Sequence, residues 1–465
     1  MQKELHPSGS AYASYIAKFD RLAASFIPPA GAWTPVDEAL YGPPDPFRVP
    51  YDRALEMQLG AVRFALERHF GHNKIYRQFC RERGFTPEQV RTTADLDAIP
   101  LLPDSFFKDY PDGRDFALWL GNIVTGELPK VVIRKSHPGY DDVIDAFNEA
   151  GMAVMFSSGT SGRHTFIPRD RRTFLRAEYA MAKAVVAMAY PLWERSCHEF
   201  LLMPHPLKTN LFAGRACAIF FDVIADVRVA IDRKVTTGLI RLTMAGQGGV
   251  RGRVVRYFSR RQGERMIAEI VQWLERREKD AEKLFFFGAP FILLQVLERL
   301  KQANRRFAFG ERGWVGTAGG WKAFEGARIP LAGFRLQVEE VLGIPSRHCL
   351  DMYAMVESNA CLLQCPEGHY LHAPHSFFRP LVLGPDNRPL PYGQWGRFAF
   401  LDAAALSYPG FILSGDRARM LARCPTCDRP GPVLDPDISR VAGAEGRGCA
   451  EELRRLAAAG EKQEE

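Results

Sequence analysis

Residues 155–163 read MFSSGTSGR, and this is the most informative segment of the sequence. Met155 and Phe156 end an apolar run, 153–156, that is typical of a buried strand. The residues that follow, Ser157 to Gly162, let the main chain approach a phosphate and offer it N–H and hydroxyl donors together. No lysine follows the last glycine, so this is not the nucleotide loop that ends in Gly-Lys-Ser/Thr. A Ser/Gly surface turn would show the same local pattern.

The chain on either side of this loop alternates short apolar runs with amphipathic segments. Apolar residues at helical spacing predict helices at 51–70, 260–283 and 290–303. Short apolar runs predict further buried strands at 200–203, 218–223, 284–287 and 397–401. Strands that alternate with helices indicate an α/β protein of layered sheets and helices.

Composition excludes several classes of protein. The chain has 465 residues, of which 46% are hydrophobic and 25% charged, and these ordinary globular values exclude global disorder. The net charge of +7 is spread over basic clusters that alternate with apolar or acidic residues, which favours solvated helix faces over nucleic-acid binding. No apolar run is long enough to span a membrane. The polar N-terminus and the odd count of nine cysteines predict a cytoplasmic protein.

Two more segments carry chemistry. In DMYAMVES, residues 351–358, Tyr353 lies four residues before Glu357, so that a ring can cover a base while the carboxylate approaches a metal-bound phosphate. An ordinary helix or strand end gives the same spacing. In FILSGD, residues 411–416, an apolar strand ends in a Gly-Asp turn, where the Asp416 carboxylate can accept two ribose hydroxyls.

In this order and spacing, the three segments resemble the phosphate-loop, aromatic-glutamate and ribose-aspartate motifs of the adenylate-forming superfamily. Four shorter segments narrow the resemblance to the acyl-protein synthetase family, the fatty-acid-activating component of the bacterial luminescence fatty-acid reductase. They are LLP at 101–103 with Phe107-Lys108, GGWK at 319–322, SYP at 407–409 and GAEGRGC at 443–449. The match covers about residues 90–450.

The resemblance implies an organisation of the chain. It predicts an N-terminal helical region at 1–90, an adenylate-forming core at 91–435 and a tail at 436–465 that carries Cys449. About 50 residues follow Ser414, too few for a second independent core. The fold class is therefore α/β, with a truncated tail in place of the superfamily's usual small C-terminal domain and its catalytic lysine.

The resemblance also implies a role for individual residues. Glu357 would bind Mg²⁺, Tyr353 would lie against adenine, and Lys322 would contact a phosphate. The ATP phosphates would lie on the loop formed by Ser157, Ser158, Gly159, Thr160, Ser161 and Gly162. The remaining nucleotide contacts would come from Gly319 and Gly320 at the adenine and from Asp416 and Arg440 at the ribose. The loop lacks the superfamily's usual trailing lysine, for which Arg163, His164 or Arg169 could compensate.

Cys449 is a candidate acyl acceptor on physical grounds as well. It follows Gly448 and directly precedes a strongly helical segment, 450–459, which would place its sulfur at a helix N-terminus. The helix dipole and the nearby Arg447 and Arg454 would favour the thiolate over the ordinary thiol pKa of ~8.5. In the family, the cysteine at this place accepts the acyl group. The alternative is an incidental cysteine on a tail.

The other cysteines suggest a structural zinc site. Cys424-Pro425-Thr426-Cys427 forms a zinc-ribbon-like knuckle that supplies half of a tetrahedral site. Cys365 and His372 are predicted to complete the site; Cys361, His369 and His375 lie in the same His/Cys-dense stretch. Some related aryl-CoA ligases carry a zinc between corresponding segments. A metal-free turn with a reduced cysteine pair is the alternative.

These residues predict an AMP-forming acid–thiol ligase that uses ATP and Mg²⁺. It would activate a carboxylic acid, of which a fatty acid is the first choice, and pass the acyl group to Cys449 for delivery to a reductase or other acceptor. An acid–CoA or acid–carrier-protein ligase, in which Cys449 is a spectator, is the alternative enzyme. A nucleotide-binding subunit without catalysis is the alternative of another class. An apolar acyl pocket is expected near residues 285–290, where the sequence reads FFFGAP.

Overall fold

The computed structural model describes residues 9–157, 163–244, 250–319 and 329–440. No helix within these ranges has the length and apolar character needed to cross a lipid bilayer. The α-helices are α1 (Ser10–Leu22), α2 (Pro35–Tyr41), α3 (Tyr51–His72), α4 (Lys74–Arg81), α5 (Arg114–Ile123), α6 (Tyr140–Glu149), α7 (Arg171–Met188), α8 (Phe212–Arg215), α9 (Phe220–Val223), α10 (Thr237–Met244), α11 (Val250–Lys279), α12 (Pro290–Gln302) and α13 (Leu331–Leu342).

Strands occur throughout the described chain, and most are short. They are β1 (Leu102–Pro103), β2 (Met152–Phe156), β3 (Phe166–Asp170), β4 (His198–Pro204), β5 (Asp226–Ile231), β6 (Leu284–Gly288), β7 (Gly313–Ala318), β8 (Cys349–Tyr353), β9 (Leu362–Gln364), β10 (Leu371–His372), β11 (Phe378–Leu383), β12 (Trp395–Asp402), β13 (Phe411–Leu421), β14 (Val433–Leu434) and β15 (Ser439–Arg440).

The chain divides into two compact units. Of the described residues, those up to 23, those in 185–353 and those in 363–369 form the first unit. Those in 24–184, those in 354–362 and those from 370 onward form the second unit.

The first unit contains five parallel strands in the order β5-β4-β6-β7-β8. One face of these strands is almost entirely apolar. Phe200 lies opposite Phe286, which lies opposite Val315, and helices α11, α12 and α13 pack over this row with residues such as Leu293 and Val338. All five of these side chains are 3% exposed or less, so burial of apolar surface is the main force that stabilises this unit.

The second unit combines a hairpin with an antiparallel sheet. Strands β2 and β3 pair from Met152↔Asp170 to Phe156↔Phe166 and enclose residues 157–165. The antiparallel sheet has the order β11-β12-β13-β14-β10. Two short strands add to β13. Strand β1 pairs with it in parallel, with Leu102 opposite Ile412, and β15 pairs antiparallel, with Asp416 opposite Arg440.

Most of the predicted elements are confirmed. The predicted strands at 153–156, 200–203, 284–287 and 397–401 lie inside β2, β4, β6 and β12, and the predicted helices at 51–70 and 290–303 match α3 and α12. The strand predicted at 218–223 is wrong, because these residues form a 3₁₀ turn and helix α9. A short buried apolar run suits a strand or a buried helix equally, so periodicity alone cannot separate the two.

A second difference concerns Asp416. The sequence predicts that a strand ends at a Gly-Asp turn before this residue, but β13 continues to Leu421. Pairing with β15 on one side explains the continuation, because it supplies partners to the main chain at residues 416 and 417. The domain limits proposed at residues 90 and 435 stay predictions.

Candidate active site

Glu357 follows β8 on a buried, irregular segment of the second unit, and its side chain is only 3% exposed. Irregular main chain in the interior needs hydrogen-bond partners from outside the segment. Arg169, which is fully buried at the end of β3, supplies them: its guanidinium donates to the carbonyl oxygens of Val356 at 2.6 Å and Ser358 at 3.1 Å and to the side-chain oxygen of Asn359 at 2.8 Å.

Tyr408 and Asp402 complete this network. The Tyr408 hydroxyl donates to the Glu357 carbonyl at 3.1 Å and accepts from Arg169 at 3.0 Å. The Asp402 carboxylate accepts from the main-chain N–H groups of Asn359 and Ala360, at 2.5 and 3.2 Å. Burial raises the pKa of Asp402, although these donors act in the opposite direction. The main chain on both sides of Glu357 is therefore fixed by three side chains from two distant parts of the sequence.

The charge state of Glu357 depends on its neighbours. Burial raises the pKa of its carboxyl, the positive charge of Lys108 lowers it, and the negative charge of Asp104 raises it. The Thr165 hydroxyl also hydrogen-bonds the carboxylate and lowers the pKa. A buried carboxylate with one nearby cation is a suitable ligand for a divalent metal ion, because the ion supplies the positive charge that the interior lacks.

Ser157, the first residue of the predicted phosphate loop, lies beside Glu357's partner Thr165. The Thr165 N–H donates to the Ser157 hydroxyl oxygen at 2.9 Å, and the Ser157 N–H donates to the Thr165 carbonyl at 3.0 Å. The His164 ring contacts the Ser157 carbonyl at 2.7 Å. The other predicted loop residues, 158–162, lie outside the described residues, as do Gly320, Lys322 and Cys449.

Asp416 and Arg440, the predicted ribose ligands, are neighbours. They lie opposite each other in the β13–β15 pair, and Arg440 Nε lies 3.3 Å from Asp416 Oδ1. Gly415 makes room for this approach, because a Cβ there would come within 2.9 Å of the Arg440 guanidinium. Arg440 is 58% exposed and Asp416 only 13% exposed, so the pair can offer both charges to a ligand from a solvent-accessible position.

Gly319 directly follows β7, and Tyr353 is the last residue of the neighbouring strand β8 in the first unit. Ala318 pairs with Met352 in the parallel β7–β8 ladder, so the next residues of the two strands, Gly319 and Tyr353, lie at the same carboxyl edge. Gly319 has a φ of 79°, a conformation that glycine adopts without strain. Ligands of open parallel sheets bind at this edge. The predicted adenine contacts are therefore brought together as far as the described residues extend.

Asp104 and Lys108 lie close to the predicted site residues, although no sequence motif assigned them a role. Strand β1 pairs with residues 412 and 413 and thereby places Asp104 beside Gly415. Asp104 Oδ2 lies 2.6 Å from Lys108 Nζ and 3.6 Å from the Arg440 guanidinium. Phe107-Lys108 belongs to the family segment that begins with LLP at 101–103, but the position of its lysine follows only from the pairing of β1 with β13.

The structure distinguishes the three residues proposed to replace the trailing lysine. Arg169 is wrong for that role, because its guanidinium is fully buried and binds the segment around Glu357. His164 is buried with its ring against the Ser157 carbonyl. Arg163 is 61% exposed and lies 3.5 Å from Asp109.

Four residues of the predicted zinc site form one group. The side-chain ligand atoms of Cys365, His372, Cys424 and Cys427 all lie within 4.8 Å of one another. Cys427 Sγ lies 3.4 Å from His372 Nε2. Three thiols and an imidazole are a donor set that tetrahedral zinc takes in structural sites, so these residues fit the ion.

The other candidates in the same stretch have different partners. His369 contacts the Ser346 carbonyl at 3.1 Å, and His375 contacts the Pro432 carbonyl at 2.8 Å. Burial lowers the pKa of His375 to about 4. Cys361 is buried, and burial raises the pKa of its thiol to about 12. None of the three belongs to the group of four.

A cavity of mixed lining lies near the predicted acyl pocket. It has a volume of about 750 Å³ and lies in the first unit, between the end of β5 and the facing parts of α11 and α12. Apolar side chains such as Ile231, Met266 and Phe291 line it together with charged ones such as Arg233 and Glu269. Phe291 of α12 comes directly after the FFFGAP stretch where the sequence predicted an apolar pocket.

Comparisons with known proteins agree with this geometry. The family model described as "Acyl-protein synthetase, LuxE" matches residues 264–457. The long-chain-fatty-acid–luciferin-component ligase of Vibrio harveyi is 24% identical over 424 residues, which are 90% of this chain and 93% of that protein. The protein of the same name from Aliivibrio fischeri is 22% identical, over 79% of this chain and 80% of its own length.

Solved structures of an acid–CoA ligase have a similar fold. A 2-hydroxyisobutyryl-CoA ligase, crystallised with its acyl-adenylate and CoA in the thioesterification state, superposes with a TM-score of 0.58 at 18% identity. That match covers 89% of this chain and 72% of the other. An open conformation of the same enzyme gives a TM-score of 0.55, over 83% and 74% of the two chains. The chain therefore has the fold of the adenylate-forming ligases, and its residues 264–457 are similar to the acyl-protein synthetase family.

Proposed function

We propose that this protein activates a long-chain fatty acid with ATP and transfers the acyl group to its own Cys449 as a thioester. The full-length relationship to long-chain-fatty-acid–luciferin-component ligases supports the reaction class and the acid. The observation that carries the proposal is the assembly around Glu357, in which a buried carboxylate, Lys108, Asp104, Arg440 and Asp416 meet at one place.

The first half-reaction needs positioning and charge more than it needs a base. A carboxylate oxygen of the acid attacks the α-phosphorus of ATP, the bond to the bridging oxygen breaks, and pyrophosphate leaves with the electron pair. Negative charge develops on the phosphates, and fixed cations in a site of low polarity stabilise it strongly. A bound Mg²⁺ would neutralise phosphate charge, and Glu357 is the residue that would hold it.

The assigned roles follow from these positions. Asp416 and Arg440 would bind the ribose, because they present a carboxylate and a guanidinium side by side at the end of the β13–β15 pair. Gly319 and Tyr353 would border the adenine. The phosphates would lie on the loop that begins at Ser157. The acyl chain would lie against the apolar side chains, such as Met266 and Phe291, of the cavity between β5, α11 and α12.

ATP–pyrophosphate exchange with a panel of acids tests the first half-reaction. We expect exchange that requires Mg²⁺ and is fastest with long aliphatic acids. Burial of each methylene group against apolar side chains contributes about 0.8 kcal/mol to the binding free energy. Exchange that is fastest with a short or aryl acid would contradict the fatty-acid assignment. No exchange with any acid would favour the non-catalytic subunit.

Labelling with radioactive acid and ATP tests the second half-reaction. The adenylate is a good leaving group, and attack by the Cys449 thiolate gives a thioester that neutral hydroxylamine releases. Cys449→Ser should keep pyrophosphate exchange and lose the covalent label, because a serine hydroxyl without a base is a far weaker nucleophile. Full CoA-dependent turnover in this variant, with no stable label on the unsubstituted protein, would instead indicate an acid–CoA ligase. Delivery of the acyl group to a reductase is the step that a thioester on this cysteine would serve.

We also propose that Cys365, His372, Cys424 and Cys427 hold one structural zinc ion. Their compact Cys₃His arrangement supports this proposal, and a closed set of four protein ligands would leave the ion no position for catalysis. Because bound zinc contributes folding free energy, Cys424→Ser should release metal and lower the melting temperature. Cys361→Ser, which removes a buried thiol outside the group, should keep about one zinc per chain. Elemental analysis of protein purified without metal-affinity resin provides the measurement, and a ratio near zero would reject the site.

A further inference from the structure

Lys108 lies in the second unit on the 3₁₀ turn Asp104–Lys108, directly after β1. The parallel pairing of Leu102 and Pro103 with Ile412 and Leu413 fixes where this turn begins. Because residues 414–416 follow on the partner strand, the turn starts beside Gly415, where a Cβ would lie 3.6 Å from the Asp104 carboxylate. A short strand pair thus brings the turn to the same place as Asp416 and Arg440.

Asp104 holds two cations there. Its side chain is 5% exposed, and its Oδ2 atom lies 2.6 Å from Lys108 Nζ and 3.6 Å from Arg440 Nη1. Charge-assisted hydrogen bonds of this length are strong and fix the position of the donor. Asp104 therefore orients the ammonium of Lys108 and draws the guanidinium of Arg440 toward it.

The ammonium of Lys108 keeps donors available for a ligand. It carries three N–H donors, and within the described part of the chain Asp104 is the one acceptor to which it donates. Its side chain is 18% exposed, so the remaining donors are accessible but largely shielded from solvent. The charge of Lys108 also lowers the pKa of Glu357, which places the ammonium within electrostatic range of the predicted metal ligand.

Arg163, the nearby cation at the end of the phosphate loop, is arranged differently. Its guanidinium lies 3.5 Å from Asp109 and donates to the Lys108 carbonyl at 3.3 Å. With 61% of the side chain exposed, its charge is more strongly screened by solvent than that of Lys108.

We propose that Lys108 is a further catalytic residue of the adenylation step, whose ammonium contacts the α-phosphate oxygens of ATP, and that Asp104 is the residue that positions it. This inference rests on the proposed function. As the carboxylate oxygen attacks the α-phosphorus and pyrophosphate leaves with its electron pair, no proton is transferred, so the ammonium stays charged throughout. Its hydrogen bonds strengthen as charge accumulates on the phosphate oxygens and thereby lower the barrier.

Steady-state pyrophosphate exchange of four variants tests this proposal. Lys108→Met should lower the rate at saturating substrates by at least ~10²-fold, the effect of removing one transition-state donor. The KM for the fatty acid should change less than ~3-fold, because acyl-chain contacts are uniform binding. Lys108→Arg should fall between this variant and the unsubstituted protein, since the charge is kept but its geometry changes. Asp104→Asn should lower the rate by about 10-fold, because Lys108 remains but is less well oriented.

Lys135→Met is the matched control. Lys135 makes an ion pair of the same 2.6 Å length with Asp142 in the same unit, but its side chain is 66% exposed. This variant should keep the exchange rate of the unsubstituted protein. Circular dichroism and the melting temperature monitor folding of all four variants.

Several outcomes would overturn the proposal. Exchange by folded Lys108→Met within 3-fold of the unsubstituted protein would do so. If Lys108→Met does not fold, Lys108→Arg decides: exchange within 2-fold of the unsubstituted protein would show that Lys108 serves only as an ion-pair partner. If the unsubstituted protein itself gives no exchange with any acid, the proposed function fails rather than the role of Lys108.

Discussion

Different interactions stabilise the two units of the molecule. In the first unit, apolar side chains such as Phe286, Leu293 and Val315 fill the space between a parallel sheet and its helices. In the second unit, the segment around Glu357 is surrounded by buried polar groups, of which Arg169 and Asp402 are completely inaccessible to solvent. Apolar packing tolerates substitutions that keep volume, whereas a buried polar network must be complete.

This difference matches the parts that the two regions play in the fold: the apolar core of the first unit is a scaffold, and the polar segment around Glu357 in the second unit is part of the candidate site. The first unit needs only enough apolar burial to hold its strands in register. The second unit holds an irregular segment that carries the buried Glu357 carboxylate, and hydrogen bonds with defined directions fix such a segment better than apolar contacts. The second unit is therefore more sensitive to substitution, because loss of one hydrogen-bond partner leaves several buried polar groups unsatisfied.

Arg169→Met should have the largest effect on stability. It leaves the carbonyls of Val356 and Ser358 without this donor and removes a charge that four hydrogen bonds to oxygen atoms satisfy. We expect a loss of about 3–5 kcal/mol in the free energy of unfolding, as for a broken buried polar network. Urea unfolding followed by circular dichroism measures it, and exchange activity of the folded fraction should also fall, because Glu357 is no longer held.

Leu293→Met provides the comparison from the first unit. Leu293 is fully buried in the apolar core, and a volume-conserving change there should cost less than about 1.5 kcal/mol and leave exchange intact. Equal losses in the two variants would contradict the distinction between a tolerant core and a sensitive network.

Glu357→Gln tests whether the network serves chemistry or only folding. The change is nearly isosteric and keeps the main-chain contacts of residue 357, so the melting temperature should change little. Exchange should fall by at least ~10²-fold, because an amide is a much poorer ligand for a divalent metal ion. Activity within a few-fold of the unsubstituted protein at saturating Mg²⁺ would remove Glu357 from the metal site.

The same contrast explains which features the sequence could predict. Elements of the first unit follow from local patterns: the apolar runs at 200–203 and 284–287 are strands because parallel strands are buried on both faces. The apolar run at 218–223 led to a wrong strand prediction, because its apolar residues are buried on a 3₁₀ turn and a helix instead. The cluster of proposed zinc ligands was predictable as well, because Cys424-Pro425-Thr426-Cys427 is a local signature and Cys365 and His372 lie in a stretch rich in histidine and cysteine.

The support of the site was not predictable in this way. Arg169 and Tyr408 lie 188 and 51 residues from Glu357 in sequence, and no local pattern marks them as partners. Their role depends on β3 and the loop after β12 meeting at the same segment. The same holds for Asp104 and Lys108, which a two-residue strand pair brings to the site. Motifs indicated the residues that are proposed to contact ligands, whereas the residues that orient them required the tertiary structure.

Glu199→Gln should have the smallest effect and the opposite sign. Glu199 lies in β4 of the first unit, is 1% exposed, and has a carboxyl oxygen, Oε2, without a hydrogen-bond partner among the described residues. It is thus a polar exception inside an apolar region.

Burial raises the pKa of Glu199 well above its ordinary value of 4.5. The folded chain therefore holds this proton more tightly than the unfolded chain, so stability from this group is complete below pH 4.5 and is lost as the pH rises through the folded pKa. Each pH unit in that window costs about 1.4 kcal/mol. Glu199→Gln is neutral at every pH and should be more stable than the unsubstituted protein at pH 7, with the difference vanishing near pH 4. Melting temperatures of both proteins between pH 4 and pH 8 provide the test, and a difference independent of pH would mean that Glu199 is not buried as a neutral acid.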